Sequence, residues 1–312
     1  MDVVSLPSPV VGRYRRFSLY NSPYPAHDAG HGIDLYPASN VGVSPVAGEV
    51  LDTRTVGCPD RSYAASNDHL ILIDTGAGDT ADETAVGDPT GAGVVARVLH
   101  VDPAVSAGDH VAVGDPLGRM VRSGFFGPWV DNHVHVDFRD PEENLYRASG
   151  SLPVAVETPV VPAPWDGTGR VVDTGETYAV LDAPTHPAPD GETYATLASD
   201  GGVPLDGGLP HYTGGGRLDR TLDEPESQEN APEPLSLLGT TIGHGDGRTV
   251  TWTETQVTVD GEPVTGLSLF ASREPGFGAK IVSRPEAGQP SFSVGETVTV
   301  GVESVETAER LG

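Results

Sequence analysis

The sequence predicts an all-β protein. Three observations carry that expectation: 40 glycines and 28 prolines in 312 residues, only 7 Phe and 9 Tyr, and apolar residues gathered in short Val/Ile/Leu runs separated by Gly, Pro and Asp. Such a chain suits short strands joined by many turns far better than long helices. Its 37% hydrophobic and 20% charged residues are balanced enough for a folded core, and its length is that of about two domains.

The first strands are expected at 48–51, 69–74 (HLILID), 93–99 (GVVARVL) and 110–113 (HVAV), with turns at Asp74-Thr75-Gly76 and Asp115-Pro116. Residues 1–148 therefore read as one antiparallel β-domain. From 149 to 164 the chain turns rich in Pro and Val (SLPVAVETPVVPAP), the composition of an extended linker. Residues 165–312 read as a second β-rich accessory region, with runs at 249–252 (TVTW), 256–259 (QVTV) and 268–270 and a hairpin signal at Asp260-Gly261. Within it the acidic, proline-bearing stretch near 218–234 has almost no large apolar group to bury and is expected to be a mobile loop.

Composition excludes several functions. Acidic residues outnumber basic ones 45 to 18, the net charge is −27, and Lys280 is the only lysine. Nucleic-acid binding, which needs clustered Lys and Arg against phosphates, is excluded on that ground. The acid excess resembles the proteins of salt-loving microbes, whose surface carboxylates hold water and cations. Cys58 is the only cysteine, so neither an intrachain disulfide nor a multi-thiolate metal site forms. No stretch of ~18 apolar residues is present to span a membrane. The N-terminus shows no charged start followed by an apolar core, so a cytoplasmic location is expected. G-x-G-x-x-G, Walker-type and G-x-S-x-G patterns are absent.

The histidines carry the chemical signal. His133 and His135 stand in VDNHVHVDF, and a two-residue spacing on a strand sends both imidazoles from one face, with Val134 and Val136 on the other. Asp137 follows on the same face, where a carboxylate can orient an imidazole from behind. Upstream, HDAGHGIDLYP offers His27, His31 and Asp34, with Gly30 and Gly32 letting the backbone approach a site closely. Two imidazoles and one carboxylate drawn from these segments would leave a fourth tetrahedral position open, as a catalytic zinc ion requires. Phe125, Phe126 and Trp129 precede the H-x-H segment, either closing the core or walling a groove for an extended peptide. His69 and His110 read as structural or solvated residues, and Cys58 has no base spaced to it.

Several ordered pieces, covering about residues 9–140, resemble the lysostaphin/LytM-type zinc metallopeptidases, which are peptidoglycan endopeptidases built on a duplicated hybrid motif. HGID (31–34) is similar to the family's first zinc motif, SPVAGEV (44–50) to the strand after it, and HLILIDTG (69–76) to its central hairpin strand. VVARVLHV (94–101) resembles the strand bearing the tyrosine-x-histidine segment, VSAGDHVAVGDPLG (105–118) the V-x-x-G-D-x-V-x-x-G turn region, and HVHVDF (133–138) the terminal H-x-H. The resemblance implies a barrel-like antiparallel β-domain, Zn2+ held by His31, Asp34 and His135, and His100 and His133 as catalytic histidines free of metal. It implies a peptide or cell-wall-type substrate.

Two departures accompany the resemblance. The family's first motif has histidine four residues before aspartate, a slot that falls here on Gly30, while His31 lies three before Asp34. An odd spacing along an extended strand puts two side chains on opposite faces, so His31 reaches the same ion only through a bulge or turn. His27, arriving from a loop, is the alternative ligand, and a site lacking a third ligand is the other. Val98 stands where the family has its tyrosine, removing one hydroxyl from the substrate side. A catalytically weakened member acting as a binding or scaffolding protein is thus the competing expectation. A biotinyl- or lipoyl-type carrier, whose hairpins VSAGDHVAVGDPLG also resembles, is excluded because no lysine precedes Lys280.

Overall fold

A computed structural model of the chain describes residues 3–24, 27, 29–76, 93–220 and 232–305. The protein is all-β: apart from a four-residue helix (Ser8–Val11), helical backbone at His27 and a 3-10 turn (Pro285–Ala287), its regular elements there are strands. A ten-stranded sheet runs through Val160–Ala163, Tyr194–Leu197, Ala271–Ser272, Arg16–Ser18, Gly32–Tyr36, Val134–Arg139, Val95–Leu99, Asn67–Asp74, Gly48–Gly57 and His110–Val111. A twelve-stranded sheet, from Glu233–Leu237 to Glu262–Pro263, belongs wholly to the second β-rich region.

Alternation along the central strands explains where the core lies. In Val134–Arg139, Val134, Val136 and Phe138 are fully buried on one face, beside Ile33, Leu35, Ala96, Val98, Ile71 and Ile73 of the neighbouring strands. Pairing keeps the opposite face in step. His135 lies directly across from Asp34 on one side and Leu99 on the other, and Asp137 lies across from Arg97. In Asn67–Asp74 both faces are apolar: Ile71 and Ile73 join the main core, while Leu70 and Leu72 pack with Val95 in a smaller cluster. That is why HLILID reads as a continuous run rather than an alternating one.

The stretch 149–164 is not a free linker. Val154–Val156 pairs in parallel with Val4–Leu6, and Val160–Ala163 pairs in parallel with Tyr194–Leu197. Burial of Val154 and Ala163 together with strand hydrogen bonds outweighs the freedom of an extended linker. The second region also enters the first region's sheet, because Ala271–Ser272 pairs with Arg16 and Phe17. Of the acidic stretch 218–234, residues 221–231 lie outside the described residues. At its ends Leu218 packs on the first core, Arg217 binds both Asp219 and Glu233, and Glu233–Leu237 is a strand. Among the described residues no helix is long and apolar enough to cross a membrane.

Candidate metal centre and cleft

The polar face of the central sheet forms the floor of a cleft of about 170 Å³, lined by His27, Asp34, His100, His133, His135 and Asp137. Tyr24, Leu99, Phe125, Phe126, Val130 and Tyr212 make its apolar walls. Volume of that order holds a few water molecules or a short piece of peptide. Phe125 and Phe126 thus belong to the groove wall, whereas Trp129 packs against His211 with ring centroids 5.4 Å apart.

Sheet register delivers Asp34 and His135 as facing neighbours, with His135 Nδ1 2.9 Å from Asp34 Oδ1. A third group completes the cluster, and it is His27. Its Nε2 is 3.2 Å from His135 Nδ1 and 3.4 Å from Asp34 Oδ1. These three residues form the group able to hold a metal ion among the described residues. His31, expected as the ligand, stands half-buried beside Ser151 and Arg248, and burial lowers its pKa. The physical reason is strand parity: three residues before Asp34 the side chain leaves the opposite face. Gly30, at φ +68°, turns the chain instead, and a Cβ there would meet Tyr20 Oη at 2.9 Å. His27, on the other side of that turn, lies over Asp34.

Each imidazole is fixed by the partner of its other nitrogen. His27 Nδ1 lies 2.9 Å from the Leu19 carbonyl and His133 Nδ1 2.9 Å from the Asp131 carbonyl, so both nitrogens carry the proton as donors. His133 Nε2 is then directed at Asp34 Oδ1, 3.3 Å away. His135 Nε2 is 3.5 Å from Asp137 Oδ2, and Asp137 is itself held by both Arg97 Nη1 (2.8 and 2.9 Å) and Ser151 Oγ (2.9 Å). The carboxylate expected behind His135 is therefore there.

His100 reaches the cleft by a backbone device. Strand parity would send it to the core with Val98, but φ of +70° at His100 takes the chain into the left-handed region and redirects the side chain. Its ring lies 5.2 Å from His133 and 5.9 Å from His135, centroid to centroid. His100 Nδ1 is 2.6 Å from Asp68 Oδ2, which also accepts from Ser123 Oγ, while the His69 N–H donates to Asp68 Oδ1. The histidine motifs alone give Asp68 no role. Its signal is that it shares the cleft-side parity of Leu70 and Leu72, so a charge there is buried.

Electrostatics follow from this packing. Burial opposes ionisation of Asp34, yet the charges of His133 and His27 and the bonds from His133 and His135 hold it well below the usual carboxylate range. Burial likewise opposes a proton on His135, but its bonds to Asp137 and Asp34 push it up to about 9. Asp68 is held at about 2, burial being overcome by His100, Ser123 and the His69 amide. Burial pushes His100 down despite Asp68, and Phe126 packs 4.7 Å from it and 4.3 Å from His133. Val98 is fully buried in the core, so that position gives the cleft nothing, and the phenols lining the cleft are those of Tyr24 and Tyr212.

Fold and site together define a class: an all-β protein in which four buried imidazoles and two aspartates line the floor of a largely apolar cleft. Residues 5–156 match the N-terminal domain, and residues 161–303 the C-terminal domain, of the domain of unknown function DUF8155. The chain belongs to that family and carries its two domains in order. No curated protein and no solved structure matches the chain.

Proposed function

We propose that the protein is a zinc-dependent endopeptidase of the lysostaphin/LytM type, with His27, Asp34 and His135 holding the ion. One observation carries this reading. With the Nδ1 protons of His27 and His133 committed to carbonyls, and His135 Nε2 turned to Asp137, three ring nitrogens converge on the single oxygen Asp34 Oδ1. Three ring nitrogens crowd one carboxylate oxygen only with positive charge among them, and a metal ion supplies that charge by replacing the proton that otherwise rests on His135. The separations suit a metal: an ion with tetrahedral bonds of ~2.0–2.1 Å needs ligand atoms about 3.3–3.4 Å apart, against 3.2, 3.4 and 2.9 Å here.

When bound, the ion supplies a Lewis acid that brings the acidity of water near neutrality and polarises a carbonyl. The protein's own groups do the rest. His133 Nε2, beside Asp34, accepts the proton of the attacking water. His100, whose charged form Asp68 favours against the cost of burial, donates from its Nε2 to the oxyanion, and His133 returns the water's proton to the leaving amine. Phe125, Phe126 and Val130 exclude bulk water, which strengthens these interactions. The substrate class is a peptide lying across the cleft.

The test is metal analysis of dialysed protein joined to peptide hydrolysis. About one zinc per chain, lost in His135→Ala, with hydrolysis lost but zinc kept in His133→Ala, supports the reading. Full zinc occupancy in both variants refutes the ligand set. Retained zinc with no cleavage of any peptide favours the binding-protein alternative.

A further inference from the structure

The second region reaches the centre of the site by a chain of hydrogen bonds. Asp206, on the strand Leu205–Leu209, is fully buried. Its carboxylate accepts from Ser18 Oγ at 2.7 Å, the Leu19 N–H at 2.6 Å and the Tyr20 N–H at 3.2 Å, and among the described residues no arginine or lysine donates to it. A buried carboxylate without a cation is costly, and what this one does is hold three consecutive residues at the end of the Arg16–Ser18 strand. The peptide unit between Leu19 and Tyr20 matters most. Its N–H end is held by Asp206 Oδ2, and its carbonyl end accepts the Nδ1–H of His27. Bonds at opposite ends of one peptide plane polarise each other in the same sense. The neighbouring residues are anchored to the same region, through Asn21 Nδ2 to Ser268 Oγ (2.8 Å) and Arg248 Nε to Tyr20 Oη (3.1 Å).

We infer that Asp206 is a positioning residue for the metal centre: acting through the Leu19–Tyr20 peptide, it fixes the tautomer and aim of His27. The second region is then a working part of the site rather than an accessory to it. This inference rests on His27 being a ligand, and its test separates the two claims. The ring-nitrogen tautomer of His27 is read by ¹⁵N NMR of the metal-free protein, and Co2+ affinity by titration of its visible absorption. Asp206→Asn keeps the side chain's shape but sets an amide against the peptide N–H; Asp206→Ser, read the same way, serves if that variant does not fold. The expected result is a single Nδ1–H tautomer in the parent, mixed tautomers in the variant, and a Co2+ dissociation constant raised roughly 10- to 100-fold. A folded Asp206 variant with the parental tautomer and parental Co2+ affinity overturns the inference. If the tautomer shifts but the parent itself binds no Co2+, the positioning role stands and the metal reading falls.

Discussion

His27 and His135 lie 108 residues apart in the chain, yet His27 Nε2 and His135 Nδ1 are 3.2 Å apart. His135 is delivered by strand register, opposite Asp34, whereas His27 stands off the sheet, ahead of the turn at Gly30. The first prediction separates His27 from the nearer histidine in sequence. His27→Ala loses nearly all zinc or Co2+ binding, while His31→Ala, which alters a side chain on the other side of the strand, binds as the parent does. Equilibrium dialysis with metal analysis distinguishes them, and loss of metal in His31→Ala alone would reverse the assignment.

Asp68 gives a second prediction. Asp68→Asn leaves a neutral amide behind His100, so the imidazole no longer has a carboxylate to orient it and to stabilise its charged form. Metal content stays at the parental level, and kcat for peptide cleavage falls roughly 100-fold or more with little change in KM. A kcat equal to the parent's would remove His100 from the proposed chemistry.

The same residue sets a pH dependence of stability. Its folded pKa, about 2, lies below the unfolded carboxylate value near ~3.9, so the unfolded state binds the proton more readily between those values. The stabilisation is fully present above about pH 4 and is lost as pH falls toward 2, amounting to about 2 kcal/mol. Urea unfolding of the parent and Asp68→Asn from pH 5 downward tests this. The stability gap between the two proteins should narrow as the pH drops, and a constant gap would contradict it.

The pair Arg97 and Asp137 supports the site from beneath. Both are buried, and Arg97 Nη1 bonds both carboxylate oxygens. Arg97→Met strips Asp137 of this cation while keeping most of the stem's packing, so it should destabilise the protein by about 3–5 kcal/mol. Denaturant unfolding measures the loss. An effect below ~1 kcal/mol would mean that Ser151 and Arg139, which also approach Asp137, suffice to compensate it.

Metal removal should register in stability as well. An ion that binds only the folded chain stabilises it by about 4 kcal/mol at a thousandfold excess over its dissociation constant. Chelator-treated protein should therefore melt at a lower temperature, with the difference restored by added zinc. A melting temperature indifferent to chelator and zinc would argue against a metal-dependent fold.

Much of this was legible in the sequence. Short apolar runs and abundant glycine and proline determined the all-β class, because strand length and turn chemistry are local properties. The H-x-H spacing determined that two imidazoles share a face with Asp137, since strand periodicity depends on nothing beyond neighbouring residues. Even the weakness of His31 was written in its odd distance from Asp34. What the tertiary structure alone decided was which distant groups meet. His27 became the partner of Asp34 through a turn at Gly30 and a hydrogen bond to the Leu19 carbonyl. His100 entered the cleft through a left-handed φ that strand parity does not anticipate, and Asp68 became its partner. The stretch 149–164 became paired strands, and Asp206 came to grip residues 18–20 across nearly two hundred positions of chain. The physical reason is common to these cases. Periodicity fixes which way a side chain points from its own strand, whereas contacts between segments depend on loop paths and packing that no local pattern encodes.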